Sequence, residues 1–242
     1  MVSIELKHRL TEAADKYETE SFIKTDPVQF PHRYEHKQDI EISGLTAALM
    51  SFGNRKQIIK KVGELCTMMG ESPCRYVAER KFEKDFHRGD SGSFYRMISK
   101  SDFREVFEKL YTAYYYADCL EDYIMRFQGN AMQKMCGFLG ISPKSPQKKV
   151  NMFLRWMVRK NSPVDLGIWK KFDSGELIIP LDTHVLHVAK ALGITANETY
   201  SLVSAKRITN TLSEVFPGDP VKGDFALFGL GTDSALNERK KH

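Results

Sequence analysis

An all-α fold is what this 242-residue sequence predicts, and three observations carry the expectation. Apolar residues recur at three- and four-residue spacing along most of the chain, the period of a helix buried on one side. Ser, Asn and Asp, in three places followed by Pro, stand just ahead of those periodic runs, where helix N-caps belong. No useful length alternates with period two. Leu177-Ile178-Ile179, between Gly175 and Pro180, is the one strand candidate and is too short to found a sheet.

The elements follow in chain order. Leu6, Leu10, Ala14 and Tyr17 repeat at about one turn and mark a first amphipathic helix. A second runs from about Asp39 to Phe52, apolar at Ile42, Leu45, Leu49 and Phe52, and Gly53 stops it. Asn54 with Gln57 three residues on is a capping box opening a helix over Arg55–Met69. Ser72-Pro73 opens a short fourth helix. Residues 82–100, rich in charge, Gly and Ser, are the most loop-like stretch. Ser101 is expected to cap a helix whose stripe is Phe103, Val106, Phe107, Leu110 and Tyr114. Ser145-Pro146 starts a basic helix with Val150, Phe153, Leu154, Met157 and Val158 on one face. Asp182 begins another, carrying Val185, Val188, Ala189 and Leu192 and stopped at Gly193. Thr195 with Glu198 caps a long helix to Phe216, and Asp219-Pro220 opens the last.

Composition narrows the class. The length suits one large domain or two small lobes. Sixteen glycines and nine prolines exclude a collagenous or disordered chain. No apolar run approaches the roughly 18 to 20 residues of a membrane helix, and the N-terminal stretch has no signal-peptide core. Cys66, Cys74, Cys119 and Cys136 form no C-x-x-C pair and no zinc spacing, so reduced thiols are expected. The bounded expectation is a soluble, cytoplasmic, monomeric protein without a metal. Net charge is only +5, but its placement is uneven. Tyr123 to Val164 holds no Asp or Glu, yet carries Arg126, Lys134, Lys144, Lys148, Lys149, Arg155, Arg159 and Lys160. Such a stripe suits phosphates, though a solvated basic helix face would read the same way.

Two segments carry chemistry. With Ser145 as N-cap, Lys148 falls in the first helical turn, where unpaired N–H groups and the helix dipole disfavour a second positive charge. Burial there would favour the neutral amine that Schiff-base chemistry needs. Asp182 follows the apolar entry Ile178-Ile179-Pro180-Leu181, which would bury it at a helix start. A carboxylate so held can stabilise developing positive charge or orient a nucleophile, although many such residues are only caps. His184 and His187, three apart, offer with Asp182 a weaker metal-ligand reading.

These segments carry a resemblance. Ile179 to Val185, with Val188-Ala189-Lys190-Ala191-Leu192-Gly193 after it, resembles the helix-hairpin-helix DNA glycosylase superfamily, which includes endonuclease III and the 8-oxoguanine glycosylases. Lys148 to Leu154 fits that superfamily's K-x-x-N-x-x-L. The resemblance implies that Lys148 is the nucleophile and Asp182 the catalytic aspartate, in a two-lobed helical domain with an active-site cleft between lobes. The middle lobe would span about 40–140, and the second about 1–38 with 141–242. It further implies that the turn of Gly53, Asn54 and Arg55 wedges into duplex DNA, and that Asp219 to Gly231 is the closing helix. The chain also looks like an uncharacterised bacterial family through Lys148–Arg159, Asp165–Trp169 and Leu177–Val185.

Departures from the pattern are visible. Ser145-Pro146 replaces the glycine hairpin, and His187 stands where arginine is frequent. The 34-residue interval from Lys148 to Asp182 resembles that of the archaeal 8-oxoguanine glycosylases. No cysteine follows Cys136, so no C-terminal iron–sulfur cluster and no other cofactor is expected. The function so implied is a base-excision repair glycosylase with AP lyase activity, acting on damaged double-stranded DNA, nucleoid-associated, and removing an oxidised purine such as 8-oxoguanine. Asn54, Arg55, Lys144, Lys149, Arg155 and Arg159 are its candidate DNA contacts; Trp156, Trp169 and Phe172 are its candidate base pocket. The alternatives are a non-catalytic helical DNA-binding protein and a metal-dependent phosphohydrolase.

Overall fold

The computed structural model describes residues 2–196 and 199–239, with 234–239 described by their helical backbone alone. Glu198, expected to close a cap with Thr195, lies outside the described residues. The structure is predominantly helical, and the chain divides into two compact units. One comprises residues 1–24, 130–132 and 142–242, the other 25–129 and 133–141. Residues 25–38, expected with the chain ends, therefore belong to the middle unit.

The first unit opens with α1 (Ile4–Tyr17), capped by Ser3, and α2 (Glu20–Ile23). Leu10, Ala13 and Ala14 are buried, as the one-turn spacing requires.

The middle unit is built around α3 (Lys37–Met50), which is buried on almost every side. Two of its buried groups are carboxylates. Asp39 accepts from the Cys74 backbone N–H at 2.7 Å, and Glu41 accepts from that of Leu120 at 2.9 Å. Each supplies a remote cap to another helix, so the charge is met by orphan donors and the helix dipole rather than left bare. Those helices are α5 (Pro73–Ala78) and α8 (Leu120–Ile124). Between α3 and α5 runs α4 (Arg55–Met69), whose N-cap Asn54 accepts from Lys56 and Gln57 N–H.

Residues 82–100 are more ordered than expected. They hold α6 (Phe82–Asp85) and a small antiparallel hairpin of β1 (Ser93–Tyr95) and β2 (Ile98–Ser99). Strands of three and two residues are too short to leave a period-two signal. The following helix, α7 (Lys100–Tyr116), is capped by Ser99 and not by Ser101, because Asp102 lies three residues on and completes a reciprocal capping box. Phe103 and Phe107 of α7 pack with Tyr76, Phe82, Phe86 and Phe94 in one aromatic cluster. The last helix of the middle segment is α9 (Ala131–Leu139).

The first unit resumes with α10 (Lys148–Val158), α11 (Thr183–Ala191), α12 (Leu202–Val215) and α13 (Gly223–Arg239). Ser201, not Thr195, caps α12: its hydroxyl accepts from the Ser204 N–H, while Thr195 is buried six residues upstream. Leu177-Ile178-Ile179 forms no strand and runs as a buried strap into α11. α13 packs on both α1 and α11. Glycine makes that possible at two positions: a Cβ at Gly229 would collide with the Tyr17 ring, and one at Gly231 with the His184 imidazole. Among the described residues no helix is long and apolar enough to cross a membrane.

Candidate active site

Lys148 and Asp182 meet inside the first unit. Lys148 Nζ lies 3.0 Å from Asp182 Oδ2, with the two side chains 26% and 34% exposed.

Each partner is aimed by its helix start. α10 begins at Lys148 itself, two residues after Pro146, so the expected Ser145 cap is not used. Gln147 takes the cap position in a left-handed conformation, φ 47° and ψ 51°, and its side chain donates to the Ser142 carbonyl at 2.6 Å. Asn151, the Asn of K-x-x-N, is buried and donates to the Pro146 carbonyl at 2.7 Å. That bond ties the incoming loop to the first helical turn and fixes where Lys148 departs. Asp182 is the N-cap of α11, its Oδ1 accepting from the Val185 N–H at 2.8 Å. One carboxylate oxygen is thus held by a helix N-terminus, leaving the other for Lys148. Leu177, Ile178, Ile179 and Leu181 are buried, and the Ile179 N–H donates to Thr209 Oγ1 at 3.0 Å, so the strap positions Asp182 rigidly.

Asp224, in the first turn of α13, was invisible to motif reading and joins this neighbourhood. Its carboxylate accepts from Arg155. Burial, helped by the charges of Asp182 and Asp165 and opposed by Arg155 and Lys148, pushes its carboxyl up to about 6. The amine drawn toward neutral pH is that of Lys149, brought to about 8 by burial and by the Lys148 charge. Tyr200 is also pushed up, first by burial and then by the Asp182 charge.

The other expected site residues sort differently. Arg155 and Arg159 are 4% and 1% exposed and cannot face DNA phosphates. Arg155 pairs with Asp165 at 3.2 Å and with Asp224; Arg159 pairs with Glu18 at 2.6 Å, Asp165 at 2.7 Å and Asp219 at 2.8 Å. The carboxylates come from outside the acid-free stretch, which is why local charge concealed the pairing. Trp156, Trp169 and Phe172 are core residues and not stacking surfaces. Both tryptophans are fully buried, and Trp169 sits edge-on to Phe153 with centroids 5.3 Å apart. Lys144 is exposed, and Lys149 is half-buried on α10 beside Lys148. Asn54 and Arg55 lie in the middle unit at the start of α4, Asn54 exposed and Arg55 3.8 Å from Asp26. The Arg96 side chain from the hairpin turn packs against Gly53 in the same unit.

His184 and His187 are exposed and do not converge with Asp182. Among the described residues, the metal-type donors that do converge are Cys119, Glu121 and Asp122. Lys37 sits 2.6 Å from Glu121 there, an occupant of the wrong sign for a metal site. All four cysteines are free thiols.

A family model described as a protein of unknown function, DUF2400, matches residues 26–139 and 131–233. No curated protein and no solved structure matches the chain.

Proposed function

The chain belongs to the DUF2400 family, whose function is unknown; on the geometry of its Lys148–Asp182 pair and the motif resemblance, we propose that it is a base-excision DNA glycosylase with associated AP lyase activity. The observation that carries the reading is the 3.0 Å contact between Lys148 and Asp182, two side chains that leave separate helix starts and face each other. A primary amine beside a carboxylate is the minimum equipment for lysine-mediated base excision.

The glycosidic carbon is inaccessible in a stacked duplex, so the target nucleotide is extruded before reaction. Asp182 Oδ2 accepts a proton from Lys148 and passes it to the departing base, so that an ionised carboxylate faces the positive charge that grows on the sugar as the glycosidic bond lengthens. The Lys148 nitrogen forms a bond to the anomeric carbon, and the base departs with the bonding pair and the proton that Asp182 had taken from Lys148. Opening of the sugar ring gives an imine between Lys148 and the deoxyribose; removal of a C2′ proton then supplies the electron pair that forms a C2′–C3′ double bond as the 3′ phosphate leaves, which cleaves the strand. Asp182 keeps its geometry throughout because Oδ1 stays on the Val185 N–H. An oxidised purine such as 8-oxoguanine is the substrate class proposed, on the resemblance alone.

The test is borohydride trapping of the full chain on a panel of lesion-containing duplexes. The expected result is a covalent protein–DNA adduct with one class of lesion, absent from undamaged DNA. Duplex binding with no adduct on any lesion would instead support a non-catalytic DNA-binding protein.

A further inference from the structure

The middle unit presents an exposed aromatic face. Tyr111, Tyr114 and Tyr115 stand at i, i+3 and i+4 on one side of α7 and, with Cys74, Val77 and Ala78 of α5, line an open cavity of about 220 Å³. Its walls are mostly ring and aliphatic carbon. The Tyr114 hydroxyl is spent inside the unit, donating to Glu41 at 3.1 Å, and burial pushes the Cys74 thiol up, which keeps it neutral. An apolar cavity of roughly 150 Å³ is enough for benzene, so this one accepts a bulky apolar side chain. Beside it, Tyr115 and Tyr116 are 71% and 58% exposed and meet edge to face with centroids 4.9 Å apart. Contiguous rings left in water mark an interaction site, where one scattered apolar residue would not. Arg126, just past α8, stacks over the Tyr116 ring at 5.5 Å and the Tyr123 ring at 4.9 Å, and donates to the Tyr116 carbonyl at 2.8 Å. Among the described residues it pairs with no carboxylate. A guanidinium so held is an exposed cation already fixed in place.

We propose that this face docks a short segment of a partner protein, which places a bulky apolar side chain in the cavity and an Asp or Glu carboxylate on Arg126. The proposal goes beyond the glycosylase reading and does not depend on it. Exposed Tyr and Arg, with the exposed Met125 beside them, are the residues that protein interfaces favour. A nucleic acid fits less well. Exposed Glu79 follows Ala78, and exposed Asp118 lies two residues after Tyr116, so a polyphosphate meets balanced charge here. The spacing of the two anchors is set by the rings. From Tyr115 to Tyr116 and on to Arg126 is about 10 Å at most, about three residues of extended chain at roughly 3.3 Å each. The segment therefore carries its apolar residue and its acid within about four positions of each other, and an extended strand of it covers both anchors.

The experiment presents the full chain to a display library of random linear peptides and measures the recovered sequences as synthetic peptides by fluorescence anisotropy. The expected peptides carry Phe, Trp, Leu or Met close to Asp or Glu. Their affinity should fall at least tenfold when the acid is changed to its amide. It should fall equally with Arg126→Gln, with Tyr115→Ala, and with Ala78→Phe, which fills the cavity. All three positions are exposed, so melting temperatures should match the parent's and the loss reports the face itself. No recovered peptide, recovered sequences without the acid, or peptides that bind the three variants as they bind the parent would overturn the proposal. So would self-association of the parent that Tyr115→Ala abolishes, which would make a second copy the occupant. An oligonucleotide that binds the parent and weakens with Arg126→Gln would overturn it in favour of nucleic acid. Borohydride trapping should be alike in parent and variants, so this proposal and the glycosylase reading fail separately.

Discussion

The two ends of α10 carry the same kind of charge and do opposite things with it. At the N-terminal end, Lys148 is a quarter exposed and meets one carboxylate at the surface. At the C-terminal end and one residue beyond it, Arg155 and Arg159 are buried and meet Glu18, Asp165, Asp219 and Asp224. Two guanidiniums against four carboxylates make a buried network, in which desolvation is offset only by near-complete hydrogen bonding. A cation's role along this helix is thus set by where its carboxylate comes from and by whether solvent reaches the pair. Local charge density does not decide it.

The largest effects should fall on chemistry at one end and on stability at the other. Lys148→Gln is expected to abolish base release and the trapped adduct, a loss of at least about 10⁴-fold, or roughly 5.5 kcal/mol of barrier. Its melting temperature should hardly move, since a partly exposed pair contributes about 1 kcal/mol or less. Arg159→Ala should do the reverse. Removing one partner from a buried network costs about 3–5 kcal/mol, which is on the order of a 10 °C drop in melting temperature for a chain of this size. Thermal melts and single-turnover assays on both variants check the contrast, and equal melting temperatures for the two would erase it.

Asp182→Asn is a milder break. Asparagine caps helices as well as aspartate, so folding should be preserved while base release slows by about 10²–10⁴-fold. A variant that melts like the parent and releases base at the parent's rate would reduce Asp182 to a cap.

How much of this was legible in the sequence divides along the same line. Period-3.6 patterns and Ser, Asn or Asp caps placed α1, α3, α4, α5, α10 and α11 to within a few residues, because those signals are local. The Lys148–Asp182 contact was legible only through paired motifs 34 residues apart. Ser101 and Thr195 misled as caps because each lies near a better one, Ser99 with Asp102 and Ser201 with Ser204. The fate of Arg155 and Arg159 was hidden for a different reason. Their carboxylates lie up to 141 residues away, counting from Glu18 to Arg159, and no local pattern encodes a pairing at that range. Their i, i+4 spacing beside Trp156 and Met157 was the one available hint. Asp224 was missed because a lone Asp in a first helical turn is ordinary.

Asp224 gives a smaller, pH-dependent handle on the buried end. Its carboxyl is raised to about 6 in the folded protein, against about 4 in the unfolded chain. Between those values the folded state binds the extra proton, so this group makes stability fall as pH rises from about 4 to about 6. Asp224→Asn should flatten that part of the stability–pH curve. Denaturant titrations at pH 4, 5, 6 and 7 measure it, and an unchanged slope would mean the carboxyl titrates as it does in water.

The smallest effect is expected where the two ends are hardest to tell apart, at Lys149. It neighbours Lys148, and its amine is the one brought down to about 8, which on acidity alone makes it the better nucleophile at neutral pH. Geometry argues otherwise, because Lys148 is the lysine that faces Asp182. Lys149→Gln should therefore keep the trapped adduct, with at most a few-fold weaker DNA binding from one lost charge. It should also leave a linkage signature. With the folded amine at about 8 and the unfolded one near 10.4, the unfolded chain binds more protons between those values. Stability contributed by this group then rises with pH from about 8 to about 10, and the glutamine variant should lose that rise. An adduct that disappears in Lys149→Gln and persists in Lys148→Gln would reverse the assignment, making acidity rather than the aspartate contact the property that selects the nucleophile.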